Sequence, residues 1–186
     1  MRAFIAVNLE QHIRTEIEQI QRDMEIMTRG FRWVSRELLH ITIKFLGDID
    51  RSTVPNICRA MDDITHEHAP FTLSFSGMGA FPTLKRPRVI WIGLEKGTIE
   101  LTGLALDIDK ALKENHGARE RGHDTFKPHI TIGRANKNET AYISQDALSR
   151  EWHCAGTLSV DSFFLMESNL TPSGPVYRPV RKFLLK

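Results

Sequence analysis

The sequence predicts an α+β fold built on antiparallel strands, and three observations carry that expectation. Helical segments and short strands are interleaved, yet several strands follow one another directly, which favours antiparallel pairing over a doubly wound parallel sheet. The tetrapeptide His40-Ile41-Thr42-Ile43 returns letter for letter as His129-Ile130-Thr131-Ile132, 89 positions later. Each copy lies near the middle of one half of the chain, inside an expected strand. Finally, the 186 residues, 41% hydrophobic and 26% charged, suffice for one domain or two small intimate lobes with a core of their own.

The elements follow in order. Residues 3–8 read as a short buried strand. Ile13, Ile17, Ile20, Met24 and Met27 recur at spacings of three and four, the stripe of an amphipathic helix that Gly30 is expected to end. Residues 31–34 and 40–45 read as strands around a turn at 35–37. Ser52 is the expected N-cap of a second helix carrying Ile57, Met61 and Ile64. Residues 71–75 alternate as a half-buried strand does, and 88–94 form another, with a Gly- and Pro-rich loop expected over 77–87. Leu101, Leu104, Ile108 and Leu112 mark a third helix over 99–115, stopped by Gly117. A polar loop over 118–125 then leads to a strand at 128–133. A fourth short helix is expected within 139–150. Residues 158–166 and 177–184 read as a hairpin interrupted by Pro172, Gly174 and Pro175.

Composition excludes several classes. No apolar run approaches the roughly 18 residues of a membrane helix. The first ten residues are too short and too soon acidic for a signal peptide, so a cytoplasmic location is expected. Cys58 and Cys154 show neither disulfide-framework nor paired-ligand spacing. A net charge of +2 is far from that of a protein bound mainly by neutralising many phosphates, while a small anion or a nucleic-acid end remains compatible. His66 and His68 have no third ligand nearby and read as a solvated helix end. Pro82 stands where a dinucleotide fingerprint starting at Gly77 would need its third glycine, and no phosphate-binding Gly-Lys-Ser/Thr loop occurs.

The repeat is where chemistry is expected. Alternation puts His40, Thr42 and Lys44 on one face of a strand and Ile41, Ile43 and Phe45 on the other. His129 and Thr131 separate from Ile130 and Ile132 in the same way. The isoleucines belong to a core, which turns both His-Thr pairs outward. Two such strands facing each other supply an acid, a base and two hydroxyl donors, a set suited to in-line displacement at phosphorus.

The repeated His-x-Thr-x, hydrophobic at both x positions, resembles the motif of the two-histidine (2H) phosphoesterase superfamily. The resemblance is greatest to its bacterial and archaeal RNA 2′,3′-cyclic phosphodiesterases, also called 2′-5′ RNA ligases. It extends over residues 2–7, Trp33-Val34 ahead of residues 40–47, Phe81-Pro82, residues 86–91 and residues 126–134, nearly the whole chain. It implies a bilobal α+β fold over residues 1–186, made of two similar halves with antiparallel sheets and helices outside. One His-x-Thr-x strand from each half would line a central cleft. The implied reaction is hydrolysis of RNA 2′,3′-cyclic phosphate ends to 2′-phosphomonoesters, with no metal or other cofactor. By the same analogy His40 is the proton donor and His129 the acceptor, and Thr42, Thr131 and Arg134 hold the nonbridging oxygens. Lys44 shares the expected catalytic face, and Trp33, Phe81 and Tyr177 are candidates to stack on a base.

Further expectations rest on the same likeness: a monomer, RNA ends such as tRNA halves as partners, and 2′-5′ ligation when a 5′-hydroxyl replaces water. The Lys-x-Asp-Gly motif of nucleotidyl-transferring ligases is absent, so joining would draw on the strained cyclic phosphate rather than ATP. Two alternatives are a phosphodiesterase for a small cyclic phosphate of the ADP-ribose type and a non-catalytic RNA-end binding module.

Overall fold

A computed structural model describes residues 1–116, 126–172 and 174–186. Its elements in chain order are β1 (Arg2–Asn8), α1 (Gln11–Met27), β2 (Thr28–Arg29), β3 (Phe31–Trp33), β4 (His40–Asp48), α2 (Val54–Ile64), β5 (Phe71–Thr83) and β6 (Arg86–Lys96). They continue with α3 (Thr98–His116), β7 (His129–Ala135), β8 (Tyr142–Ile143), α4 (Gln145–Ser149), β9 (His153–Val160), β10 (Ser162–Thr171) and β11 (Gly174–Leu184). The fold is α+β, and every pairing in its main sheet is antiparallel.

Strand order in that sheet is β11-β10-β1-β4-β7-β6-β5-β9, with β3 also paired to β7. The motif strands β4 and β7 therefore meet at its centre, each with three strands of this path outside it. A single residue, Asp161, links β9 at one end to β10 near the other. Only a sheet curled back on itself permits so short a link.

Most expected helix stripes are buried. Ile13, Ile17, Ile20 and Met24 of α1, Ile57, Met61 and Ile64 of α2, and Leu101, Leu104, Ile108 and Leu112 of α3 all join one core. Alternate residues of β1 go to opposite sides: Ala3, Ile5 and Val7 enter that core, whereas Phe4 and Ala6 form a separate small cluster with Met166. The sheet thus has a helix-covered face and an opposite face on which the site lies.

Several expectations need correction. The expected loop over 77–87 is a hairpin, because β5 runs on to Thr83 and β6 begins at Arg86. Its glycines serve a bulge and a close approach instead of a loop: Gly77 (φ +75°) sits where the β5–β6 register shifts, and Gly79 lies under the Trp91 ring. The expected strand 158–166 is broken at Asp161 into two strands at opposite ends of the sheet, while Gly174 and Pro175 belong to β11 itself. Ser52 does not cap α2. It lies within a 3₁₀ turn, Arg51–Thr53, where its N–H donates to Asp50 Oδ1 at 2.9 Å. Gly30 (φ +74°) makes the turn between β2 and β3, three residues after α1 ends. The fourth helix is shorter than expected, with Ser144 as its cap. Gly117 and the loop over 118–125 lie outside the described residues.

Candidate active site

Strands β4 and β7 share one ladder pair, Ile41 opposite Ile130. Both isoleucines are fully buried on the helix side, so the residues flanking each point to the other face. Extending that register sets His40 beside Thr131 and Thr42 beside His129, the arrangement of a local two-fold axis through the isoleucine pair.

Each motif strand then bulges at its fourth residue. On β1, Ile5 pairs with Lys44 and Ala6 with Thr42, leaving Ile43 unmatched. On β6, Ile90 pairs with Gly133 and Trp91 with Thr131, leaving Ile132 unmatched. Cross-strand partners share a face, so the extra residue reverses the alternation beyond it. Phe45, opposite Phe4, shares the face of Thr42, and Arg134, opposite Val89, shares the face of Thr131. Simple alternation would put Arg134, five residues past His129, on the wrong side.

The same bulge overturns the expectation for Lys44. Its ammonium pairs with Asp109 of α3, which also holds Lys113 at 3.1 Å. Lys44 braces the helix side, and Phe45, expected in the core, is 69% exposed with its ring 6.3 Å from Phe4.

The imidazoles are held alike. His40 Nδ1 donates to the Leu38 carbonyl at 2.7 Å, and His129 Nδ1 donates to the Lys127 carbonyl at 2.6 Å. A carbonyl only accepts, so Nδ1 carries the proton and Nε2 is left for chemistry. His40 Nε2 lies 2.9 Å from Thr42 Oγ1. Aromatic rings flank both: Tyr177 stands edge-on to His40 at 5.3 Å, with Phe4 at 5.0 Å. Phe81 stands edge-on to His129 at 5.0 Å, with Trp91 at 6.0 Å.

Burial, foremost, and the positive charge of Arg134 push both histidines below their ordinary range, against the carbonyl bonds that favour the charged ring. Arg14 and His129 add to the effect at His40. Burial raises the Tyr177 phenol, with Arg134 and Arg2 acting against it. Arg134 is thus felt by His40, His129 and Tyr177 together.

Two anchors, half-buried Arg14 and buried Gln21, support this arrangement. Arg14 of α1 donates to the Leu9 carbonyl at 2.9 Å and to the Arg36 carbonyl, fixing the 3₁₀ turn Arg36–Leu38 that presents the carbonyl holding His40. Gln21, 7% exposed, donates from Nε2 to Val34 O at 2.8 Å and to Ile132 O at 2.9 Å. The Ile132 carbonyl also accepts from Val34 N–H at 2.9 Å. Gln21 therefore grips the bulged residue that aims Arg134.

The chain is similar to known proteins over its whole length. The family described as LigT like phosphoesterase matches residues 7–91. An RNA 2′,3′-cyclic phosphodiesterase of Archaeoglobus fulgidus is 37% identical over 186 residues, covering 98% of this chain and 99% of its own. One of Aquifex aeolicus is 31% identical, covering 100% and 97%. The chain belongs to the LigT-like phosphoesterase family. A Thermus thermophilus crystal structure superposes on this LigT-like phosphoesterase with a TM-score of 0.85 at 30% identity, covering 100% of this chain and 98% of that one. Escherichia coli LigT shares the fold at a TM-score of 0.80.

Of the residues expected at the site, this LigT-like phosphoesterase brings together His40, Thr42, His129, Thr131, Arg134, Tyr177 and Phe81. Trp33 is not among them: it packs beside Phe31 and over Gly133 on the helix side. His66 and His68 serve the fold, with His68 Nε2 2.9 Å from Asp107 and His66 Nε2 2.9 Å from the Lys186 ammonium. Among the described residues no three His, Cys, Asp or Glu side chains are placed to hold one metal ion, and no helix is long and apolar enough to cross a membrane. Sequence reading missed Phe4 and Trp91 as ring neighbours of the histidines. Only Trp91 left a trace, since its ring needs the space above Gly79, where a Cβ would lie 2.0 Å from it.

Proposed function

We propose that this chain hydrolyses RNA 2′,3′-cyclic phosphate ends to 2′-phosphomonoesters. The observation that carries the reading is the matched pair of imidazoles: each is fixed through Nδ1 by a backbone carbonyl, so that Nε2 is the nitrogen turned to chemistry, on the one face that also holds Thr42, Thr131 and Arg134. His129 Nε2 takes a proton from water as the water oxygen bonds to phosphorus. The P–O3′ bond breaks as His40, protonated, gives its proton to O3′. The product carries a 2′-phosphate and a 3′-hydroxyl, and proton exchange with solvent returns the histidines to their starting states. Arg134 and the two threonine hydroxyls stabilise the charge that gathers on the nonbridging oxygens. With a 5′-hydroxyl in place of water, the same displacement gives a 2′-5′ diester.

The depressed proton affinity of both histidines fits such a site. One imidazole must be neutral to act as base, and the anionic phosphate restores a proton to its twin on binding. The test is turnover of a nucleoside 2′,3′-cyclic phosphate by the wild type, His40→Ala and His129→Ala, each with and without chelator. General acid and base catalysis are each worth roughly 10²–10⁴ in rate, so either substitution should cost at least about 100-fold. Full activity in either variant would overturn the reading.

A further inference from the structure

At the Arg134 end of the site the cross-strand neighbours form one row: Phe81, Val89, Arg134 and Arg32. Its last two members are both arginine. Arg32 on β3 stands directly opposite Arg134 on β7, so both guanidinium groups leave the same face, and both residues are exposed. Like charges directly opposite each other destabilise a sheet, and Cβ atoms at such positions lie only about 4.5–5.5 Å apart. Among the described residues, no carboxylate pairs with either guanidinium. The nearest members of the row, Val89 and Phe81, offer no negative charge. A sheet that places two arginines this way gains from an anion between them.

We propose that Arg32 extends the site beyond Arg134 to a second phosphate, the internucleotide phosphodiester next to the cyclic end, so that the two arginines clamp neighbouring phosphates. The substrate is then the end of an RNA chain rather than a free mononucleotide. This inference rests on the functional reading above, in which Arg134 meets the reacting phosphate. Two planar forks on adjacent strands can bridge neighbouring phosphates, each with paired N–H donors, which a lysine cannot do. Arg32 contributes no proton to the reaction and touches only the neighbouring phosphate.

The experiment compares kcat/KM for a nucleoside 2′,3′-cyclic phosphate with that for a dinucleotide carrying the same cyclic end, in the wild type, Arg32→Gln and Arg32→Lys. Arg32→Gln should lower the dinucleotide-to-mononucleotide ratio roughly 5- to 20-fold, the loss expected for an exposed charged hydrogen bond. The salt slope of log kcat/KM for the dinucleotide should become shallower by about 0.7, one single-strand phosphate contact. Arg32→Lys should recover part of the ratio. Thermal melting separates this from a structural role: removing one of two opposed charges should hold or raise Tm, whereas removing a structural arginine lowers it.

An unchanged ratio, or a fall in Tm with both substrates impaired equally, would overturn the clamp. A loss seen only with a small cyclic phosphate that carries its own diphosphate would overturn the RNA assignment. If the wild type turns over no cyclic phosphate, the functional reading fails instead. The clamp is then judged by titrating a labelled dinucleotide with a 3′-hydroxyl end: weaker binding by Arg32→Gln upholds it and equal binding refutes it.

Discussion

Gln21 is the most informative residue to change outside the site. Its amide reaches the carbonyls of Val34 and Ile132 at 2.8 and 2.9 Å from a helix position only 7% exposed. In Gln21→Leu both bonds vanish with little change of volume. The Ile132 carbonyl keeps the Val34 N–H, so the larger penalty falls at Val34. Two net bonds of about 1 kcal/mol each, with part of a desolvation penalty, give about 2–3 kcal/mol. At this chain length that lowers Tm by about 4–12 °C. Activity should fall as well, because the loosened bulge no longer fixes the side to which Arg134 points. A double-mutant cycle isolates that route: in an Arg134→Ala background Gln21→Leu should cost little further kcat/KM, since there is no guanidinium left to misplace. Loss of activity by the same factor in both backgrounds, or a Tm change below about 1 °C, would refute the reasoning.

Other perturbations have equally definite outcomes. The pH profile of kcat/KM should be a bell centred below about 6.5, because burial and Arg134 depress both histidines in the free protein; an optimum well above 7 would contradict this. Arg134→Ala should move both limbs upward and Arg134→Lys, which keeps the charge, should not, as rate profiles of the two variants would show. The unfolded chain binds protons at these histidines more readily than the folded one, so stability is fully present above about 6.5 and is lost as pH falls through the lower folded values, a trend denaturant titrations at several pH values can read. Lys44→Met should leave kcat/KM within twofold and cost no more than about 1 kcal/mol, because the Asp109 pair is partly exposed; a larger loss of activity would return Lys44 to the site. Gly79→Ala forces a Cβ to within 2.0 Å of the Trp91 ring, and should change Trp fluorescence and lower Tm.

Which parts were legible in the sequence follows from the range of the forces involved. The stripes of α1, α2 and α3 are local patterns with a period set by helix geometry, and their isoleucines and leucines are buried as spacing required. The His-Thr pairs were legible for the same reason, since two-residue alternation holds across a tetrapeptide. The first residue past each tetrapeptide was not. Nothing in Lys44-Phe45 or Gly133-Arg134 announces a bulge, because a bulge is a mismatch between two strands and is absent from either one alone. Gly77 and Pro82 misled for a related reason: both are turn residues by local preference, but here one serves a bulge and the other lies within a strand whose partner supplies the missing constraint. The break at Asp161 depends on which sheet end each flanking strand joins, again a property of partners.

For the reaction proposed above, the paired bulges give a symmetric framework two unlike ends. The local two-fold axis relates His40 to His129, Thr42 to Thr131, Ile43 to Ile132, Lys44 to Gly133 and Phe45 to Arg134. Up to the bulge the residues are identical; beyond it they diverge completely. Turned to the helix side, the first of each divergent pair serves the fold: Lys44 pairs with Asp109, and Gly133 makes room for the Trp33 ring. Turned to the site, the second sets the character of each end, an exposed phenyl ring at one and an uncompensated guanidinium at the other. In-line displacement needs one neutral and one charged imidazole, and two identical surroundings could not favour a particular assignment. Arg134 lowers the proton affinity of both rings, whereas Arg14 acts on His40. Residues outside the repeated tetrapeptides, Arg134 and Arg14, thus surround two identical motifs with unlike charge. Exchanging the divergent pairs, Phe45→Arg together with Arg134→Phe, should move the cationic end across the axis while leaving both motifs intact. Retained kcat/KM in that double variant would show that the site does not depend on which end carries the charge.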